Sequence, residues 1–269
     1  MPNDTIDLLM NRASVRRFSD RVPSDDVVET IVRAGQQAPF AAQLATVLLT
    51  RDREKNAFHA PLLFLLLVDV HRMETVLAAR GWQRKMSDVA TLLLGVQDAA
   101  YMAENMVIAA EALGLGSCFL GATPYAADRL IESYALPPHV FPLVGLAMGY
   151  PDERPTPRPR YPLEFTLFED RYPRFEESDV RDAMDAMDEG YLAQDYYRRL
   201  NAKIPLADGS EDRFTYEDYS WTEHIARKLG QWGENPNDLL SPMAKYGFRL
   251  DSTADSEADH PRDPADGFD

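Results

Sequence analysis

From Leu62 to Val68 the chain runs Leu-Leu-Phe-Leu-Leu-Leu-Val without one polar residue, directly after Pro61. A continuous apolar run of that length predicts a strand covered on both faces. The β-like run from Ala45 to Thr50 predicts a neighbouring strand, and Ser117–Leu120 and Phe141–Met148 predict two more. Between them, Asp88 to Leu113 carries apolar residues on almost every helical face, among them Leu92, Leu93, Leu94, Val96, Met102, Met106, Val107 and Leu113. This predicts one helix of about 26 residues, roughly 39 Å long. Its all-round apolar character places it in a core or at a subunit interface, and Gly114-Leu-Gly116 supplies its stop signal.

Shorter amphipathic stretches fill in the remainder. Asp4–Asn11 predicts a helix with Ile6, Leu9 and Met10 on one face. Ser24 is placed as the N-cap of a second helix, with Asp25 and Asp26 in its first turn and Val27, Val28, Ile31 and Val32 buried. Gln36–Gln43 is a loop broken by Pro39. Helices are expected over Ala126–Tyr134, Asp179–Leu200 and Ser220–Leu229, the last stopped by Gly230. Strands interspersed with helices under one long apolar helix indicate an α+β sandwich. Residues 1–251 read as one domain, and 252–269 as an acidic, disordered tail nearly devoid of large apolar groups.

Charge changes the picture. Against 44 Asp+Glu the chain has 28 Lys+Arg, a formal net charge of -16. The field of that surface repels phosphate backbones and anionic membranes, which argues against nucleic-acid or membrane partners. The single cysteine, Cys118, excludes an internal disulfide, fits a reducing cytoplasm and sits in an apolar run as a structural thiol. The longest apolar run is far too short to cross a bilayer, and the N-terminus has no secretory pattern. His59, His71, His139 and His224 have no metal-like spacing.

Where cations are scarce, two tight Arg clusters stand out: Arg12-Ala13-Ser14-Val15-Arg16-Arg17-Phe18 and Arg158-Pro159-Arg160. Guanidinium forks give bidentate bonds to phosphate, and a Ser hydroxyl with nearby backbone N–H groups completes such a cradle. Five prolines between Pro151 and Pro162 keep the second cluster extended and stiff. The alternative is that these arginines serve as surface ion-pair partners for the many carboxylates.

Taken in order and spacing, several segments resemble the nitroreductase and flavin reductase superfamily, specifically its oxygen-insensitive NADPH nitroreductase branch. They are Arg12–Phe18, Asp98-Ala-Ala-Tyr-Met-Ala-Glu-Asn105, Ala109-Ala-Glu-Ala-Leu-Gly-Leu-Gly116, Leu136–Gly145, Met148-Gly-Tyr-Pro151, Arg158-Pro-Arg-Tyr-Pro162 and Trp221-Thr-Glu-His-Ile225. The resemblance covers about residues 4 to 250. It implies a nitroreductase-like sandwich: a central, mainly antiparallel sheet flanked by helices, with a long buried helix at the interface of a homodimer. It further implies one FMN in each of two interface sites and NADPH or NADH as electron donor. Arg12, Ala13, Ser14 and Arg16, with Arg158 and Arg160, fall where the family holds the FMN phosphate and ribityl chain. Phe119, Leu120, Gly121 and Ala122 fall along one side of the flavin. Ala38, Pro39, Phe40 and Gln43 fall against its ring, from the partner subunit. Gly121 suits close backbone approach, and the Gln43 amide suits the flavin's polar edge.

The implied chemistry is ping-pong hydride transfer to a nitroaromatic, quinone or free flavin in the cytoplasm. The cofactor carries it, so no catalytic side chain is nominated. Three positions depart from the branch pattern. Arg51–Pro61 is short and lacks the Gly-Gly-Gln run with which relatives reach the flavin ring. Ala122 stands where a second Gly is usual. Glu217-Asp218-Tyr219-Ser220 replaces the basic residues that serve the NADPH 2′-phosphate, and carboxylates there repel that group. The alternatives are an FMN-binding protein with little turnover, such as a flavin store or regulator, and a same-fold flavoenzyme with different chemistry.

Overall fold

In the computed structural model, which describes residues 3–231, 233 and 235–250, the elements follow one another as α1 (Asp4–Asn11), α2 (Asp25–Gln36), β1 (Ala45–Thr50), β2 (Leu62–Asp69), α3 (Val70–Ala79), α4 (Asp88–Ala112), β3 (Gly116–Leu120), α5 (Ala127–Tyr134), β4 (Val140–Gly149), α6 (Glu177–Ala193), α7 (Tyr196–Leu200), α8 (Trp221–Gln231) and α9 (Asn237–Lys245). The expected tail over 252–269 lies outside the described residues. The chain divides into two compact units: residues up to Ser14 with Arg154–Asn235, and Val15–Glu153 with the residues from Pro236 onward.

The second of these is organised by a four-stranded sheet in the order β1-β2-β4-β3, with every neighbouring pair antiparallel. β2 is flanked on both sides, and all eight of its residues are buried, as its unbroken apolar run requires. β1, at the edge, is half-buried throughout. α4 covers one face. Met102, Ala103, Met106, Val107 and Ala110 on the helix pack with Leu62, Phe64 and Leu66 of β2 and Leu146 and Met148 of β4. Removing each such side chain from water stabilises the fold by about 2 kcal/mol.

Two glycines set how closely the layers approach. A Cβ on Gly95 of α4 would stand 2.4 Å from Val68 Cγ1, and one on Gly35 of α2 would stand 2.6 Å from Met106 Cγ. The expected long helix is present, but only part of its surface is buried in this chain. Val89, Leu93 and Tyr101 remain exposed. Helices α3 and α9 were not anticipated. α3 starts where the Asp69 carboxylate accepts from the Arg72 amide at 2.9 Å, an N-cap at the end of an apolar strand. The Ser24 side chain, placed as the N-cap of α2, makes no capping bond, although the helix begins there.

The other unit has a different core. Met187, Tyr191, Tyr197 and Tyr219 form its buried centre, with Tyr196, Phe214, Tyr216 and Trp221 packed against them. The single helix expected over 179–200 is two, because Asp195 takes a left-handed conformation (φ +48°) between α6 and α7. Nor does Gly230 end α8, which continues to Gln231. Arg227 of α8 is buried and donates to both Asp212 oxygens at 2.7 and 2.8 Å, to Glu223 at 2.7 Å and to the Ile204 carbonyl at 2.7 Å. α1 leaves Ile6, Leu9 and Met10 exposed.

Candidate functional site

Both Arg-bearing segments contribute to the aromatic-cored unit, although Arg12–Ser14 and Arg158–Arg160 lie far apart in sequence. Arg12, Ala13 and Ser14 leave α1 half-buried. Arg158–Arg160 is extended, as its prolines demand, and α6 fixes it. The Gln194 side-chain amide, just past the end of that helix, donates to the Pro157 carbonyl at 2.9 Å. Gly190 admits the Pro159 ring so closely that a Cβ would stand 2.6 Å from its Cγ. The Arg158 guanidinium lies 4.8 Å from the centroid of the Tyr196 ring, a cation–π placement that orients it without neutralising it. Burial pushes the neighbouring Tyr191 hydroxyl above the usual tyrosine range, with Arg158 pulling the other way, so Tyr191 remains neutral. Arg160 is exposed and donates back to the carbonyls of Arg158 and Pro159 at 3.0 and 3.1 Å.

Arg16 belongs to the sheet unit. The backbone N–H groups beside it are not available to an anion. Val15 donates to the Ser117 carbonyl at 2.9 Å, while Arg16 and Arg17 donate to Glu153 Oε1 at 2.5 and 2.9 Å. The amides of Val15, Arg16 and Arg17 are therefore spent on the fold.

At the end of β3, Phe119 and Leu120 are half-buried and Gly121 and Ala122 exposed. Thr123 holds the turn: its hydroxyl donates to the Leu120 carbonyl at 2.7 Å and accepts from the Gly145 amide at 2.8 Å. No atom lies within 4 Å of where a Cβ on Gly121 would stand, so packing within this chain does not require a glycine there. Open space at a bare backbone fits a flat ligand laid along it.

Ala38, Pro39, Phe40 and Gln43 line one cavity of about 450 Å³, whose floor includes Val32, Val47 and Met102. The loop's shape is dictated from α4. Asp98, buried on an otherwise apolar helix face, accepts from the amides of Ala41 at 2.6 Å, Ala42 at 3.2 Å and Leu44 at 2.8 Å. Arg72 closes the other end by donating to the carbonyls of Gln43 and, at 2.8 Å, Ala45. Gln43 itself is left-handed (φ +52°). Neither Asp98 nor Arg72 was singled out from sequence. Asp98 opens one of the family-like segments and follows the apolar stretch Leu92–Val96 as a lone carboxylate before Glu104, a signal the sequence carries. Arg72 has no such mark.

Strand order keeps two of these groups apart. The loop entering β1 and the turn leaving β3 sit at opposite edges of the sheet, three strand spacings or about 14 Å from each other at least.

Comparison with known proteins agrees with this geometry. The nitroreductase family model matches residues 45–150, the stretch from β1 through the end of β4. The chain is 30% identical over 218 residues to an FMN reductase (NADPH) of Bacillus subtilis, covering 75% of this chain and 86% of that protein. It is 29% identical over 258 residues to the oxygen-insensitive NADPH nitroreductase of Salmonella typhimurium, covering 91% and 98%. The solved structure of Bacillus megaterium NfrA2 superposes with a TM-score of 0.78 at 24% identity, over 93% of this chain and 100% of that one, and so shares the fold. With the antiparallel sheet, the Arg-bearing segments and the open turn at Gly121 in place, the chain belongs to the nitroreductase family.

Proposed function

We propose that this protein is an FMN-dependent NAD(P)H oxidoreductase that reduces nitroaromatics, quinones or flavins in the cytoplasm. The observation that carries the reading is the gathering of Arg12, Ser14, Arg158 and Arg160 into one compact unit of a strongly acidic chain. Their guanidinium and hydroxyl donors match a phosphate monoester. Arg16 belongs with them as a phosphate and ribityl contact, and the open turn at Gly121 and the loop of Ala38, Pro39, Phe40 and Gln43 are the ring contacts in this reading. FMN, when bound, supplies the redox chemistry, taking up hydride from the nicotinamide donor and passing the electrons on. The chain's own residues bind, orient and shield it, so no acid, base or nucleophile is assigned.

A homodimer completes this reading, and the strand order supports it. With the two ring-contacting groups at opposite edges, a partner subunit's loop brings the second group to each flavin. The exposed apolar residues of α1 and α4 give such a partner something to cover. On the donor side, Glu217 is exposed and paired with Arg198, while Asp218 accepts from the Thr215 amide at 2.6 Å. Carboxylates at this position disfavour a 2′-phosphate, so NADH is accepted at least as well as NADPH.

The deciding measurement is the absorption spectrum of the purified protein during anaerobic addition of NADH and then NADPH. Flavin bands that bleach support the oxidoreductase reading and rank the donors. Bands that resist both donors favour a flavin-binding protein with little turnover, a reading to which the short 51–61 segment and the acidic 217–218 pair lend support. Absence of flavin after incubation with FMN overturns both.

A further inference from the structure

The connection from β1 to β2 holds the most strained backbone in the sheet unit among the described residues. Phe58 and His59 are consecutive non-glycine residues in the left-handed region, at φ +58° and +49°. Each costs about 1–2 kcal/mol, and a bulky aromatic there is an outlier. The surroundings over-determine the conformation. The buried Asn56 side chain donates to the carbonyls of Ala60 at 2.9 Å and Thr50 at 3.3 Å. Arg53 donates to the His59 carbonyl at 2.9 Å and the Ser19 carbonyl at 3.1 Å, and pairs with Asp20 at 3.3 Å.

The result is unusual. Ala60, Pro61 and Leu62 all enter the core, yet the Phe58 ring is turned outward and left 41% exposed. It stands beside one functional group, the Arg16 guanidinium, 6.0 Å from the ring centroid. The fold thus pays twice, in strain and in an exposed aromatic, with no return inside the chain. Strain of this kind persists where a site needs it.

We propose that Phe58 is a cofactor-binding residue. Its ring, presented by the strained turn next to Arg16, covers the part of the bound FMN that Arg16 holds. This rests on the FMN reading above. An apolar ring face makes no hydrogen bond, so its contribution there is packing and desolvation around the Arg16 contact.

The test titrates FMN with apoprotein, following quenching of flavin fluorescence, and measures the apoprotein's urea midpoint alongside. Phe58→Gly and Phe58→Leu are expected to raise the FMN Kd about tenfold, while Phe58→Tyr stays within about twofold of the parent. Glycine tolerates positive φ, so the midpoint of Phe58→Gly is expected to hold or rise as affinity falls. A fall in midpoint together with affinity would assign Phe58 to the fold and overturn the proposal. So would unchanged Kd values in a parent that binds FMN. A parent that binds no FMN overturns the oxidoreductase reading itself.

Discussion

The two units solve the problem of a stable core in different ways. In the sheet unit, an uninterrupted apolar strand lies under an apolar helix, and stability comes from area removed from water. In the aromatic unit, tyrosines meet in stacked and T-shaped pairs, for example Tyr191–Tyr197 at 5.7 Å and Tyr197–Tyr219 at 5.5 Å. Their polar tips and the buried Arg227 are answered by hydrogen bonds and ion pairs. One core depends on shape and volume, the other on matched partners. They should therefore fail under different insults.

The sharpest break comes from volume. Phe64 is fully buried at the centre of β2, and Phe64→Ala should cost about 3–5 kcal/mol, read as a lowered urea midpoint that is indifferent to salt. Overpacking the same core costs less. Gly95→Ala places a methyl against Val68 and should cost about 1–3 kcal/mol. A midpoint equal to the parent's would mean that α4 slides freely along the sheet. The smallest effect distinguishes the units by pH. Hydrogen bonds from Arg227 first, and then Lys203, hold the Asp212 carboxyl well below its ordinary value of 3.8. A carboxylate depressed in the folded state stabilises fully above its unfolded pKa and loses that contribution as pH falls through the folded value. Hydrogen-exchange protection of α8 should therefore decline as pH falls below 3.8, before that of β2 does, and Asp212→Asn should remove the difference.

The same contrast explains what the sequence made legible. Leu62–Val68 and Asp88–Leu113 were readable because hydrophobic burial imposes length and periodicity on the chain, and β2 and α4 occupy those ranges almost to the residue. The break at Asp195 was not, since a left-handed residue inside a helical pattern is decided by how Tyr191, Tyr196 and Tyr197 pack against one another. Helix α3 escaped because its start depends on the Asp69 side chain rather than on an apolar stripe. At the candidate site, residue type marked the Arg clusters and the loop at 38–43. It did not reveal that Glu153 takes the amides beside Arg16, because that contact joins positions more than 130 residues apart.

Asp98 has a wider consequence. It grips the loop of the 450 Å³ cavity entirely through backbone amides, so that grip does not depend on the side chains of Phe40 and Gln43 that line the cavity. Form and selectivity are thereby inherited separately. Phe40 can be exchanged for other residues, each exchange reshaping what the cavity admits, whereas the left-handed Gln43 admits fewer replacements. One carboxylate on α4 thus separates the course of the loop from the lining of its cavity.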